Sequence, residues 1–450
     1  MPRPGWRRVV WVLLLGPAAH AHEVLSSQTL YRAARQGNPR AWLALRARAT
    51  TKHPSAELWY GQYQKRQGNL AQALVWFHRA AEAGNAVAAL EVAHAYAHGI
   101  GVPADPKEGG RWLLRAARRG DPYAELLRAD EDRYGIGTKR NIGRAAFWDR
   151  QAAHHGNVYA EFQRGRDDQN GLGVTPDERR AAYWFQQAAQ QGDTLAQLAL
   201  SEAYAHGLGV LRNPRRSVRW DRPAAHAGVR MAEDRLGLAY ATGHGVRRRS
   251  RRAVFWYRKA AFQGSALAAY RLGQAYAKGQ GVRRNLQQAR RWYLHAAHQD
   301  LASAQYALGR IYATGHGVGR NPRQAARWYR RAARRGFVPA QLRLARAYRR
   351  GLGVAQNDPR AVFWYRKAAM ERSAQGALGL ARAYWHGAGI SENRVQAYRW
   401  YVIAHRNARP HSPSAGEAAN RMAFARLTLR PSQIVRAQRV ARTGLRQARL

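Results

Sequence analysis

Residues 268–300 read AAYRLGQAYAKGQGVRRNLQQARRWYLHAAHQD, and this stretch decides the fold. Its tryptophan, Trp292, belongs to a series that runs through Trp76, Trp112, Trp148, Trp184, Trp220, Trp256, Trp328, Trp364 and Trp400. Successive members are 36 residues apart without an insertion. A fixed period of this length is the mark of a repeat array, in which each unit is one supersecondary element stacked on the next. At 450 residues the chain is also too long for one compact core, which points the same way.

Working outward from Trp292, paired glycines stand thirteen and eleven residues earlier, at Gly279 and Gly281, and recur before each later tryptophan from Gly99/Gly101 to Gly387/Gly389. Sixteen residues before Trp stands a Tyr in eight units, such as Tyr204, Tyr240 and Tyr276. This places the Tyr near the end of a first helix that the Gly-x-Gly loop terminates, since glycine takes left-handed backbone angles without steric cost. Seven residues before Trp an Asn or Asp stands in nine units, for example Asn213, Asn285 and Asn357, where a side-chain oxygen can accept from the free N–H groups that open a second helix. Pro106, Pro214 and Pro322 follow directly, at the one helical position that favours proline. The second helix should run to a glycine such as Gly84, Gly192 or Gly264. Trp, the Ala three residues before it and the Ala-Ala pair four and five after it share one helical face, a core stripe in which alanines allow close approach and the rings fill the gaps. Truncating one such Trp is expected to cost roughly 3–5 kcal/mol.

The pattern A..LG..Y..G.GV..N...A..WY..AA..G resembles the Sel1-like repeats, a branch of the tetratricopeptide-like helical hairpins, over roughly residues 56 to 408. The resemblance implies an all-α, right-handed α-solenoid of helix-turn-helix repeats that acts as a scaffold or adaptor in envelope assembly, signalling or host contact. Some such relatives are periplasmic. One related group serves exopolysaccharide secretion as outer-membrane lipoproteins, and a Cys-rich group binds β-lactams; the chain lacks the lipid-bearing Cys of the first and the cysteines of the second. The expected organisation is a signal peptide over 1–21, a helical cap over 22–54, ten repeats over 55–407 and capping helices over 408–450, the last two near 417–428 and 432–448.

The start of the chain has the parts of a secretory signal: basic Arg3, Arg7 and Arg8, an apolar run from Val9 to Gly16, and Ala19-His20-Ala21 as a cleavage site before His22. The run is too short to span a bilayer and no later stretch is longer, so the expectation is a periplasmic or secreted protein without a transmembrane anchor. With no Cys, disulfides, thiolate metal sites and a Cys nucleophile are excluded. The balance of 76 Lys and Arg against 27 Asp and Glu gives a net charge of +49, and only seven of the cations are Lys. A genome biased toward Arg and Ala codons accounts for such a composition as well as an anionic partner does. If the charge is used, a field of this size gathers polyanions, and outside the cytoplasm these are lipopolysaccharide, acidic polysaccharide, anionic lipid or acidic proteins rather than nucleic acid.

Catalytic signatures are absent: there is no Gly-x-Ser-x-Gly elbow, zinc-binding His-Glu-x-x-His helix or phosphate loop, and the Gly-x-Gly pairs follow helices rather than strands. No enzyme activity, cofactor or metal is expected, and loop histidines such as His98, His206, His244, His316 and His386 read as solvated. Two sets of residues stand out. Arginines at Arg247, Arg248, Arg249, Arg283, Arg284, Arg334, Arg335, Arg349 and Arg350 would form a basic stripe for polyanions if they share a face. Acidic residues break the pattern between 121 and 235: Asp132 and Asp168 replace the Tyr, Asp130, Glu131 and Asp167 stand beside them, and Asp149 and Asp221 follow Trp where an apolar residue is usual. Pro223 also interrupts a second helix. The expectation is a distorted acidic segment, a bend that binds a basic partner segment or cation, in which restoring Tyr at 132 and 168 stabilises the protein. The resulting reading is an exported scaffold that binds envelope proteins or an acidic polymer. The alternatives are a component of exopolysaccharide secretion or regulation, a cell-wall-modifying enzyme, and an acid-tolerant structural protein.

Overall fold

The computed structural model describes residues 26–136 and 138–443, so the signal sequence expected over 1–21 lies outside the described residues. Among these residues are 24 α-helices and no strand. The chain falls into two compact units, one comprising the residues up to Ala196 with Leu208–Val210, the other Gln197–Gly207 with Leu211 onward. The first holds α1 (Ser27–Arg35), α2 (Pro39–Thr50) and the helix pairs from α3 (Pro54–Arg66) and α4 (Leu70–Glu82) to α9 (Val158–Asn170) and α10 (Glu178–Gln190). The second runs from α12 (Pro214–His226) to α24 (Pro431–Thr443). The division falls within α11 (Thr194–His206). Within each unit the main contacts are between successive helices, as in an α-solenoid.

The helices begin and end where the sequence supplies caps. In α16 (Leu286–His298) the Asn285 side chain accepts from the Gln288 N–H, and α15 (Ala266–Lys278) stops at Gly279 with φ 70°. The loop between them is fixed twice more. The N–H of the residue seven before Trp donates to the carbonyl of the residue sixteen before it, as in Asn285 to Tyr276 at 2.9 Å and Asn357 to Tyr348 at 2.8 Å. The second glycine, Gly281, also has positive φ, at 76°, and its Cα lies so close to α14 (Ser250–Phe262) that a Cβ would overlap the Ser250 carbonyl. Gly245, Gly353 and Gly389 meet Pro214, Pro322 and Asp358 in the same way. The second glycine is therefore a contact between neighbouring repeats as well as a turn residue, a role the sequence reading did not assign.

The expected face of Trp and alanines is the core, and the residue after Trp belongs to it as well. Trp112, Trp184, Trp256, Trp328 and Trp400 are buried, but Trp76, Trp148, Trp220, Trp292 and Trp364 are only half-buried. The residue after Trp is buried in all ten units. Tyr257, Tyr293 and Tyr329 pack closely against a small residue of the first helix, Gly237, Gly273 and Gly309 respectively. The Ala-Ala pairs lie beneath them, fully buried at Ala224-Ala225, Ala260-Ala261 and Ala368-Ala369.

Three local expectations are corrected. The helix placed near 417 starts at Pro413, because Ser412 caps it by accepting from the Ala415 N–H and proline is at home in the first turn, so α23 is Pro413–Arg426. Pro223 does not break its helix: α12 is continuous from Pro214 to His226, held on the core side by Val218, Ala224 and Ala225. Nor are the elements of the acidic segment irregular. α7 (Pro122–Tyr134), α8 (Ile142–His154), α9 and α10 each have 13 residues, and their loops close through Asn141 to Asp132 and Asp177 to Asp168 as elsewhere.

Candidate interaction surface

In two of the repeats the Tyr sixteen before Trp meets an Arg twelve residues on, in the second helix: Arg216 donates to the Tyr204 hydroxyl and Arg252 to that of Tyr240, both at 3.3 Å. Asp132 and Asp168 take that place in two successive repeats and meet the equivalent arginines, Arg144 at 2.9 Å and Arg180 at 3.3 Å. Each also meets a second guanidinium from one turn earlier in its own helix, Arg128 at 3.4 Å and Arg164 at 3.1 Å. In the other repeats the earlier position is buried and apolar, Ala56 and Val92 in the first two and leucine in the rest, among them Leu200, Leu236, Leu272, Leu308 and Leu344. The substitution is therefore a paired one, Leu and Tyr exchanged for Arg and Asp. The sequence reading noted the aspartates and missed Arg128 and Arg164, although the break in the apolar column was there to be read.

Asp149 occupies the buried column after Trp and is fully enclosed. Arg133 pairs with it and also holds Asp130 at 2.8 Å. Burial pushes the Asp149 carboxyl up to about 7 and raises that of Asp167, to which it is hydrogen-bonded. Asp221, 3% exposed, is pushed by burial up to about 6 against the opposing effect of a hydrogen bond with Ser201. Glu131 is held by Arg128 at 2.5 Å. The acidic residues thus lie in or against an internal ionic core, engaged by the chain's own arginines, rather than along an open acidic face. Among the described residues no set of His, Asp and Glu converges as metal ligands.

The candidate cations divide between two edges. Arg247, Arg248, Arg249, Arg283 and Arg284 are exposed in the Gly-x-Gly loops, and Arg349 and Arg350 end α19 (Val338–Arg350) at that same loop edge. Arg334 and Arg335 sit at the other end of that helix, as the last residue and the C-cap of α18 (Pro322–Arg334), about 20 Å away by the length of a 13-residue helix. Arg335 is paired there with Asp300. The loop-edge residues Arg349 and Arg350 line a groove of about 340 Å³ with Arg320, Arg343, Arg346 and Arg382. Overall, more than half of the 27 acidic residues are held in ion pairs within the chain, and Arg247, Arg248, Arg249, Arg283 and Arg284 take part in none of these pairs.

Helical hairpins of fixed length, joined by doubly fixed loops and presenting one side-chain pattern repeatedly, define a repeat scaffold of the α-solenoid class. The Sel1 repeat model matches ten consecutive segments, 56–85, 86–121, 122–157, 158–193, 194–229, 230–265, 266–301, 302–337, 338–373 and 372–404. The chain belongs to the Sel1 repeat family. It is similar to a protective antigen of uropathogenic Escherichia coli strains, with 29% identity over 93% of this chain and 94% of that one and a TM-score of 0.76. It is also similar to a Sel1 repeat protein from Oxalobacter formigenes, with 31% identity over 69% of this chain and 90% of that one and a TM-score of 0.59. No curated protein matches the sequence. Proteins of this family are generally protein-interaction scaffolds, and the fold is typically non-catalytic. No described helix is long and apolar enough to cross a membrane.

Proposed function

We propose that the protein is an exported scaffold that gathers acidic partners, envelope proteins or an acidic polymer, on the loop edge of its repeats. The observation that carries this reading is the distribution of charge. The carboxylates are largely held inside or in ion pairs, while the arginines at 247–249, 283 and 284 stand exposed with no ion pair among the described residues. Such a surface raises the local concentration of polyanions and speeds their encounter, with a strong dependence on salt. Export is supported by the basic, apolar and small-residue sequence of 1–21. The similarity to a protective antigen fits a protein that antibodies can reach.

Binding of the chain that starts at His22 to heparin and to an acidic polysaccharide, measured at several salt concentrations, tests the charge reading. Saturable binding that weakens steeply with salt is expected, and absence of binding at low salt overturns the polymer part. Export is tested separately by sequencing the N-terminus of protein recovered from the periplasm or medium. His22 is the expected first residue, and retention of Met1 in the cytoplasm overturns it.

A further inference from the structure

We propose that the cleft between α12 and the loop that joins α13 (Arg230–Thr242) to α14 is a binding site for a multiply charged phosphate or sulfate group. This rests on the reading of the protein as a scaffold for acidic partners and narrows it to one place. The cleft has a volume of about 790 Å³ and is lined by Arg215 and Arg222 of α12, Arg247 and Arg249 of the loop, Arg252 of α14 and the Tyr240 ring. All of these belong to one compact unit. Arg252 stands 5.6 Å over the Tyr240 ring and donates to its hydroxyl, which aims one guanidinium. Among the described residues no carboxylate lies within ion-pair distance of any of the five arginines; nearby Asp221 is buried on the core side of α12. Five like charges around one cleft repel, and the repulsion is relieved by an anion that several guanidinium forks can engage.

The site is particular to this junction and not a by-product of the repeat. At the positions of Arg247 and Arg249 the next three repeats carry Arg283 and Asn285, Gly319 and Asn321, and Ala355 and Asn357. Arg249 stands where every other repeat has Asn or Asp. All of the others but Asn69 cap the second helix through the side chain, as Asn285 does by accepting from Gln288, whereas Arg249 makes no side-chain cap bond. The cost is an uncapped helix start, and what replaces the cap is a cation turned to the cleft. A bound oxyanion supplies both missing partners, a counter-charge for the arginines and an acceptor at the first turn of α14. A doubly charged group with tetrahedral oxygens suits a cleft lined by five arginines better than a single carboxylate does.

The test titrates the full chain from His22 with inorganic pyrophosphate, with a sulfated disaccharide and with acetate, by calorimetry at moderate salt. Saturable binding of one pyrophosphate or disaccharide per chain and none of acetate is expected, and the tighter of the two identifies phosphate or sulfate as the natural group. Arg249→Asn restores the cap and removes one cation. It should raise the melting temperature while weakening the anion roughly tenfold, the worth of about one charge-assisted hydrogen bond. The double variant Arg323→Gln/Arg327→Gln makes a larger charge change away from the cleft and should leave affinity within about twofold. Equal weakening by both variants means a diffuse field and overturns the site. If heparin binds in a salt-dependent manner but pyrophosphate and the disaccharide do not, the cleft is wrong and the wider reading stands; if nothing binds, both fail.

Discussion

Arg164 keeps only 6% of its side chain exposed, and Asp168 beside it keeps none. Burial raises the Asp168 carboxyl and lowers the Arg164 guanidinium, each opposed by the other's charge. Replacing Asp168 alone by Tyr leaves Arg164 buried without its nearest counter-charge and should cost about 3–5 kcal/mol, the reverse of the stabilisation expected when only the aspartate was in view. Replacing both, Arg164→Leu/Asp168→Tyr, restores the regular pair and should be neutral or stabilising by about 1–4 kcal/mol in urea unfolding. A single variant as stable as the native chain would contradict the pairing. Asp221 makes a prediction in pH. Its folded carboxyl titrates near 6 while an unfolded one titrates near 4, so between those values the folded state binds more protons. Its contribution to stability therefore falls as pH rises from about 4 to 6 and is level above. Ser201→Gly/Asp221→Tyr, which copies the Gly237 and Tyr257 of the next repeat, should abolish that slope relative to the native chain in denaturant titrations at a series of pH values.

The loops show how far a helix–loop–helix element can be read from its letters. Positive φ at Gly279 follows from its place at a helix end, but the approach of Gly281 to the Ser250 carbonyl depends on a neighbouring repeat and leaves no separate mark, because both roles demand the same residue. Gly279→Ala meets only ordinary neighbours and should cost about 1–2 kcal/mol from its backbone angle. Gly281→Ala adds a steric overlap and should cost clearly more; equal losses in thermal unfolding would remove the inter-repeat contact from consideration. The turn after the second helix makes the converse point. Gly264 and Gly336 have positive φ there, and so does Arg372, with φ 58°, where the sequence offers no glycine. Tertiary packing imposes the angle, and Arg372→Gly should stabilise the protein by about 1 kcal/mol. The helix pairs, their caps and the small-residue stripe were legible because each rests on local periodicity. The ionic core was only half legible: an aspartate out of pattern is conspicuous, whereas Arg128 and Arg164 show only against the apolar column that they interrupt, in a chain with 76 Lys and Arg.

At the scale of the molecule, a net charge of +49 with most carboxylates already engaged means that the folded chain repels itself. The Debye length shrinks from about 30 Å at 0.01 M salt to about 10 Å at 0.1 M, so the melting temperature should rise over that range, and a fall would show that surface ion pairs outweigh the repulsion. The closed loops have a consequence of another kind. From the carbonyl sixteen residues before Trp to the N–H seven before it, each Gly-x-Gly loop is measured at both ends, and the second glycine, wherever it is among the described residues, is pressed against the helix of the repeat before. No residue can be added or lost there without pulling one of these points away, whereas removing 36 consecutive residues rejoins equivalent atoms. Such a chain can change length only by whole steps, like a ruler cut at its graduations. Gene duplication and deletion in units of one repeat become the available route for tuning how many partners it holds, and single-codon insertions in the loops are closed to it.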